Sequence, residues 1–214
     1  MRPAVVVLSL ALLAALPQAA AAAIWGCHGT KPGHPTPEER SAFIREVSEL
    51  AVKAEKTHGV PATALAALAI AESGYGWTRV AMNANNLFAW KFVTAAADGR
   101  KSYLPACHLR RGINNRFVMF KSRADAFEFV AQKLATLDAY RPHTDAYKAA
   151  RKLGEAAESA VHAWLRGVAT HYSQKPDEFS TKLMRIMNNP AEPADKLSPE
   201  SNLYRLSAGT RGGS

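Results

Sequence analysis

The sequence predicts a mainly α-helical domain, interrupted once by a small irregular or β lobe. Three observations carry this. Apolar residues recur three and four positions apart through most of residues 36–190, which is the spacing of one helical face. Capping residues and prolines stand where those runs begin, and glycine, asparagine or proline where they end. Between residues 75 and 121 both signals vanish, and Asn, Gly and aromatic side chains take over.

Residues 1–22 read as a secretory signal peptide. Met1-Arg2 supplies the positive start, Ala4 to Leu16 is an uncharged apolar run, and Ala19 to Ala23 offers small-residue cleavage sites. Cleavage is expected after Ala21, Ala22 or Ala23. The apolar run is too short for a bilayer anchor, so no membrane span is expected in the mature protein, which would be periplasmic or secreted. Residues 23–35 form an extended lead-in rich in Gly, His and Pro.

Thr36-Pro37-Glu38-Glu39 then starts a helix, with Thr as N-cap and Glu at the third position. Phe43, Ile44, Val47, Leu50, Ala51 and Ala54 make its apolar stripe, and Gly59 ends it. Pro61 opens a second helix through Leu65, Leu68, Ala69 and Ile70 to about Ser73, stopped by Gly74 and Gly76. After the unpatterned segment, Phe117 to Phe120 suits a short strand. Ser122 caps a third long helix with Ala126, Phe127, Val130, Leu134 and Leu137 on its buried stripe, broken by Pro142. Shorter helices are expected at 144–152, 155–169 and 176–188, the last closed by Asn188-Asn189-Pro190. Residues 191–214 read as a disordered tail of Pro, Ser, Gly and charge, leaving one domain at 36–190. The domain is expected to be monomeric.

The net charge of +9 favours polyanionic partners. Export makes nucleic acid the least suitable of these, and Arg110-Arg111 and Arg151-Lys152 are only doublets. An anionic cell-wall polymer fits better. The chain holds two cysteines, Cys27 and Cys107. An even pair behind a signal peptide reads first as a disulfide, worth about 4 kcal/mol for a loop of this length in the chain-entropy model. Each cysteine precedes a histidine, but adjacent ligands do not match zinc spacing. The bulky Trp25 argues against a lipid anchor at Cys27. No metal and no cofactor are expected.

Glu72 stands out as a chemical group. Leu65, Leu68 and Ala69 lie seven, four and three positions before it, so its carboxylate projects from an apolar stripe. Desolvation there raises a carboxyl pKa, and a carboxylic acid that stays protonated can protonate a poor leaving group such as a glycosidic oxygen. By periodicity alone, a glutamate turning into solvent at a helix end stays open as the alternative.

Two segments add to this: Ala71-Glu72-Ser73-Gly74-Tyr75-Gly76 and Asn85-Asn86-Leu87-Phe88-Ala89-Trp90-Lys91. Together they resemble the bacterial glucosaminidase family, glycoside hydrolase family 73, whose members include flagellar and autolysin enzymes. Phe120-Lys121-Ser122 with Ala126-Phe127, and Tyr172-Ser173 before Pro176 and Phe179, are weaker matches to two further motifs of that family. The resemblance implies a lysozyme-like helical domain whose lobe follows the catalytic helix. It implies an endo-β-N-acetylglucosaminidase acting on a peptidoglycan glycan strand, with Glu72 as general acid and Tyr172 facing it across the cleft.

Tyr75, Trp77, Phe88 and Trp90 offer flat faces for sugar rings, and Asn83, Asn85 and Asn86 offer amides for hydroxyl and acetamido groups. Substrate contacts are therefore expected at Tyr75, Asn85, Asn86, Phe88 and Trp90, while Leu87 reads as core. His58 and His162 read as structural, and His171 beside Tyr172 as tuning the cleft. One departure from the family matters. Many members carry a second carboxylate in the lobe, but here Gly99 to Lys121 holds none, only basic residues including Arg100, Lys101, His108 and Arg116. Asp98 is the nearest acid. Three routes stay open: Asp98 activates water, the substrate's own acetamido oxygen attacks with help from Tyr172, or activity is impaired. A lytic transglycosylase or muramidase of the same fold, or a wall-binding protein that has lost catalysis, are the competing readings.

Overall fold

A computed structural model describes residues 25–107, 115–191 and 201–209. The signal-peptide expectation, and the lobe residues His108, Arg110 and Arg111, lie outside the described residues. The helices are α1 (Pro37–His58), α2 (Ala62–Ser73), α3 (Arg79–Ala84), α4 (Arg123–Thr136), α5 (Arg141–Lys152), α6 (Ala157–Tyr172), α7 (Pro176–Asn188) and α8 (Tyr204–Ala208). Strands β1 (Ser102–Tyr103) and β2 (Phe117–Val118) pair antiparallel, Ser102 opposite Val118 and Tyr103 opposite Phe117.

Local sequence sets the ends. The Thr36 hydroxyl accepts from the Glu39 N–H while the Glu39 carboxylate accepts from the Thr36 N–H, closing the expected capping box. Helix α2 has no polar face because it is the centre of the bundle, packed by α1, α7, α8 and α6. Leu65, Leu68 and Ile70 are at most 2% exposed, each burial stabilising by about 2 kcal/mol. Gly74 ends α2 at φ 55°, and a Cβ there would lie 2.3 Å from the Thr30 methyl. Only glycine fits.

Four features depart from the sequence reading. Helix α3 sits inside the segment expected to be irregular, since six residues are too few to show a period. Helix α4 ends at Thr136, so Leu137, expected on the buried stripe, is 37% exposed. Pro142 lies in the first turn of α5, where its missing N–H costs nothing. Residues 201–209, expected as part of a disordered tail, instead fold back on the core. Leu203 and Ser207 are fully buried, and the Leu203 N–H donates to the Met187 carbonyl at 2.9 Å.

A polar knot holds that segment. The buried Glu55 carboxylate accepts from the Tyr147 hydroxyl (2.5 Å), the Ala62 N–H (2.8 Å) and the Ser207 hydroxyl (3.0 Å), tying α1, α2, α5 and α8 together. Burial, then the Glu55 charge, pushes the Tyr147 phenol well up, so it remains a donor. His162 plays the structural part expected of it, hydrogen-bonding the Tyr204 hydroxyl at 2.6 Å.

The lead-in is strapped over the lobe. Thr30 bridges Thr78, His34 stacks on Trp77 at 3.9 Å, and the Arg79 guanidinium lies 3.8 Å from the Trp25 ring centre. The expected Cys27–Cys107 disulfide is formed. It anchors the strap to the loop after β1.

Candidate active site

Glu72 occupies the last turn of α2, half-buried where the helix meets the lobe. The next residue fixes the turn. The Ser73 hydroxyl donates to the Ala69 carbonyl at 2.5 Å and accepts from the Gly76 N–H at 2.8 Å. Burial raises the Glu72 pKa above the usual carboxylate value, and the charges of Lys182 and then Lys91 partly offset this. Lys182 comes from α7, its ammonium donating to the Ala71 carbonyl at 3.3 Å. Lys91 comes from the lobe, its ammonium 3.9 Å from the Phe117 ring centre. Burial lowers the Lys91 pKa, and Glu72 partly restores it.

Tyr172 stands in the last turn of α6, close enough to Glu72 to feel its charge. Its phenol is held well above the normal value by burial, then by the Glu72 charge and Tyr140. A phenol that keeps its proton is a donor, and this one donates to the Phe88 carbonyl at 2.9 Å. The Trp90 ring lies 6.1 Å from that of Tyr172, edge to face. Four elements distant in sequence thus converge: the end of α2, the 86–91 loop, the end of α6 and α7.

The structure corrects several expected substrate contacts. Asn86 is 1% exposed and its amide is saturated. Its Nδ2 donates to the Val118 carbonyl (2.8 Å) and the Trp90 carbonyl (3.0 Å), and its Oδ1 accepts from the N–H groups of Trp90 (2.9 Å) and Phe88 (3.3 Å). It is the pin of the loop, with nothing left for a sugar. Phe88 is equally buried, edge-on to Phe127 at 4.9 Å, so it belongs to the core along with Leu87, for which the core was expected. Asn85 caps α3 at φ 51° and donates to the Phe120 carbonyl, lining a pocket beside Glu46 and Ser122. Tyr75 is a tie: its hydroxyl donates to the Pro190 carbonyl at 2.7 Å, and Arg40 lies over its ring at 5.0 Å. Trp77 is covered by His34. Of the predicted contacts, Trp90 stays partly exposed, its ring edge-on to that of Tyr172.

Asp98 is placed elsewhere. Its carboxylate pairs with Lys133 at 2.9 Å and Arg100 at 3.9 Å, and it lines a pocket of about 480 Å³ with Lys101, Phe120 and Asp125. Among the described residues no contact links it to Glu72, Tyr172 or Trp90. Sequence reasoning missed Lys182, which carries no motif and reaches Glu72 only through the packing of α7 on α2. Among the described residues, no three or more His, Cys, Asp or Glu side chains group as a metal site would. No described helix is long and apolar enough to cross a membrane.

The glucosaminidase family model, described as mannosyl-glycoprotein endo-β-N-acetylglucosaminidase, matches residues 48–192, from α1 past the end of α7. The chain belongs to the glucosaminidase family. Its lysozyme-like helical fold is similar to that of the catalytic domain of the autolysin Auto from Listeria monocytogenes. That crystal structure is 22% identical, with a TM-score of 0.50, covering 73% of this chain and 86% of the other. No match is found among curated proteins. The family assignment makes this chain a glycoside hydrolase.

Proposed function

We propose that the protein is an exported endo-β-N-acetylglucosaminidase, cutting peptidoglycan strands at N-acetylglucosamine with Glu72 as general acid. The observation that carries this is a carboxyl whose pKa is raised by burial, at the end of the central helix, facing a protonated Tyr172. A carboxylic acid in that setting holds its proton at higher pH than a free glutamate, and gives it to the glycosidic oxygen as the bond breaks. Export rests on the signal-peptide pattern of residues 1–22, and the disulfide suits an oxidising compartment.

For the second half of the reaction, the pairing of Asp98 with Lys133 and Arg100 favours the substrate's own acetamido group over Asp98. Its carbonyl oxygen attacks the anomeric carbon as the leaving sugar departs with the Glu72 proton. Water then opens the resulting cyclic oxazolinium ion, and the Glu72 carboxylate takes the proton that the water loses. Tyr172 holds the Phe88–Trp90 wall against which the acetamido group lies. The anomeric configuration is retained on this route.

Mass spectrometry of fragments released from purified sacculi tests the proposal. Fragments with a reducing N-acetylglucosamine end support it. A 1,6-anhydro-muramic end would mark a lytic transglycosylase, a reducing N-acetylmuramic end a muramidase, and no release a wall-binding protein.

A further inference from the structure

Aromatic rings do not stop at Trp90 and Tyr172. The Tyr140 ring lies 6.5 Å from Tyr172, His171 lies 6.2 Å from Tyr140, and His143 lies 6.3 Å from His171. His171 is exposed, and Tyr140 and His143 are partly so. Together they extend a chain of ring contacts from Trp90 through Tyr172 to the residues that open α5, where the end of α6 meets it. Tyr140 is the residue before α5, and His143 lies in its first turn.

A glycine in the neighbouring helix bears on this ridge. Gly167 lies inside α6, where glycine costs about 1 kcal/mol relative to alanine. A Cβ at that position would sit 2.2 Å from the His143 ring nitrogen Nδ1. The missing side chain is therefore what seats the imidazole against α6, next to His171. A glycine inside a helix is explained by close packing of this kind.

We infer that Tyr140, His171 and His143 form an additional glycan-binding subsite, which carries the sugar strand beyond the bond-cleaving cleft along the α5–α6 joint. The inference rests on the proposed glycan substrate and extends it to chain length. The chemistry fits a polysaccharide. A tyrosine ring offers an apolar face to the C–H face of a pyranose, and imidazole nitrogens exchange hydrogen bonds with hydroxyl and acetamido groups. The cationic pair Lys91 and Lys182 at Glu72 belongs to the cleft; the ridge itself is aromatic and made for stacking.

Binding is measured in the Glu72→Gln background, so that no cleavage intervenes. The two ligands are long glycan strands stripped of stem peptides and a tetrasaccharide fragment of the same polymer. Tyr140→Ala weakens the long strand roughly threefold to tenfold, the worth of one stacked ring. It leaves the tetrasaccharide unchanged. Gly167→Ala, which displaces His143 without touching Tyr140, also weakens only the long strand, while Tyr140→Phe keeps parental binding. Melting curves establish that each variant is folded. Equal loss for both ligands would make Tyr140 a support for Tyr172 and overturn the subsite, as would unchanged long-strand binding in both Tyr140→Ala and Gly167→Ala. If the wild-type protein releases nothing from sacculi yet these binding losses are seen, the hydrolase reading fails and the subsite stands.

Discussion

Replacing Asn86 with leucine removes a side chain of similar volume from the loop beside Glu72, along with all of its hydrogen bonds. Three of those bonds are 2.8–3.0 Å long and the fourth is 3.3 Å, and every partner is a backbone group. At about 1 kcal/mol net for each good bond, the change costs roughly 3 kcal/mol. For a domain of this size that lowers the melting temperature by roughly 6–12 °C. The loss also unpins Trp90, so kcat/KM on glycan strands falls with it. Thermal unfolding by circular dichroism and initial-rate kinetics on the same preparation provide the assay. An unchanged melting temperature with a raised KM would refute this reasoning, because it would mean that Asn86 meets the sugar and not the loop.

Lys182→Met removes the larger of two positive influences on Glu72, so its carboxyl keeps its proton to higher pH and the alkaline limb of kcat/KM moves upward. An unmoved limb contradicts that coupling. Cys27→Ser frees the strap over the lobe and lowers stability by about 2–4 kcal/mol, read in a non-reducing melt; an unchanged melt would show that the strap holds without the bond. Tyr172→Phe loses the bond to the Phe88 carbonyl and slows kcat roughly tenfold, whereas Asp98→Asn keeps the rate within about twofold, as an exposed ion pair away from the cleft should. A rate collapse in Asp98→Asn, with inversion seen by NMR during early turnover, would return Asp98 to the role of base.

Glu72 was singled out because two independent signals coincide on it, a helical face that is otherwise apolar and a motif that follows at once, and the burial that raises its pKa follows from the first of them. The helices were legible for a similar reason, since Thr36, Gly59, Pro61 and Pro176 punctuate them. The asparagines misled because an amide suits a sugar hydroxyl and a backbone peptide equally well. Only the fold of the 86–90 loop back on itself and the approach of Val118, brought alongside by pairing of β2, decide which partners Asn86 takes. Asp98 was named because it is the nearest acid in sequence, and sequence distance says nothing of the Lys133 that pairs with it from α4. Lys182 carries no local signal, as its importance arises only when α7 lies on α2. Helix α8 was hidden by composition: its few apolar residues sit among Ser, Arg and Gly, and its docking depends on Glu55 and Thr63, far away in the chain.

The central claim is that Glu72 gives the proton at the bond that breaks. Glu72→Gln keeps the side chain's size and removes that proton, so turbidity loss of purified sacculi should slow by about 10²–10⁴-fold while the melting temperature stays at or above that of the wild type, since a neutral amide costs no more to bury than the carboxyl it replaces. A folded Glu72→Gln protein that clears sacculi at nearly the wild-type rate would contradict it.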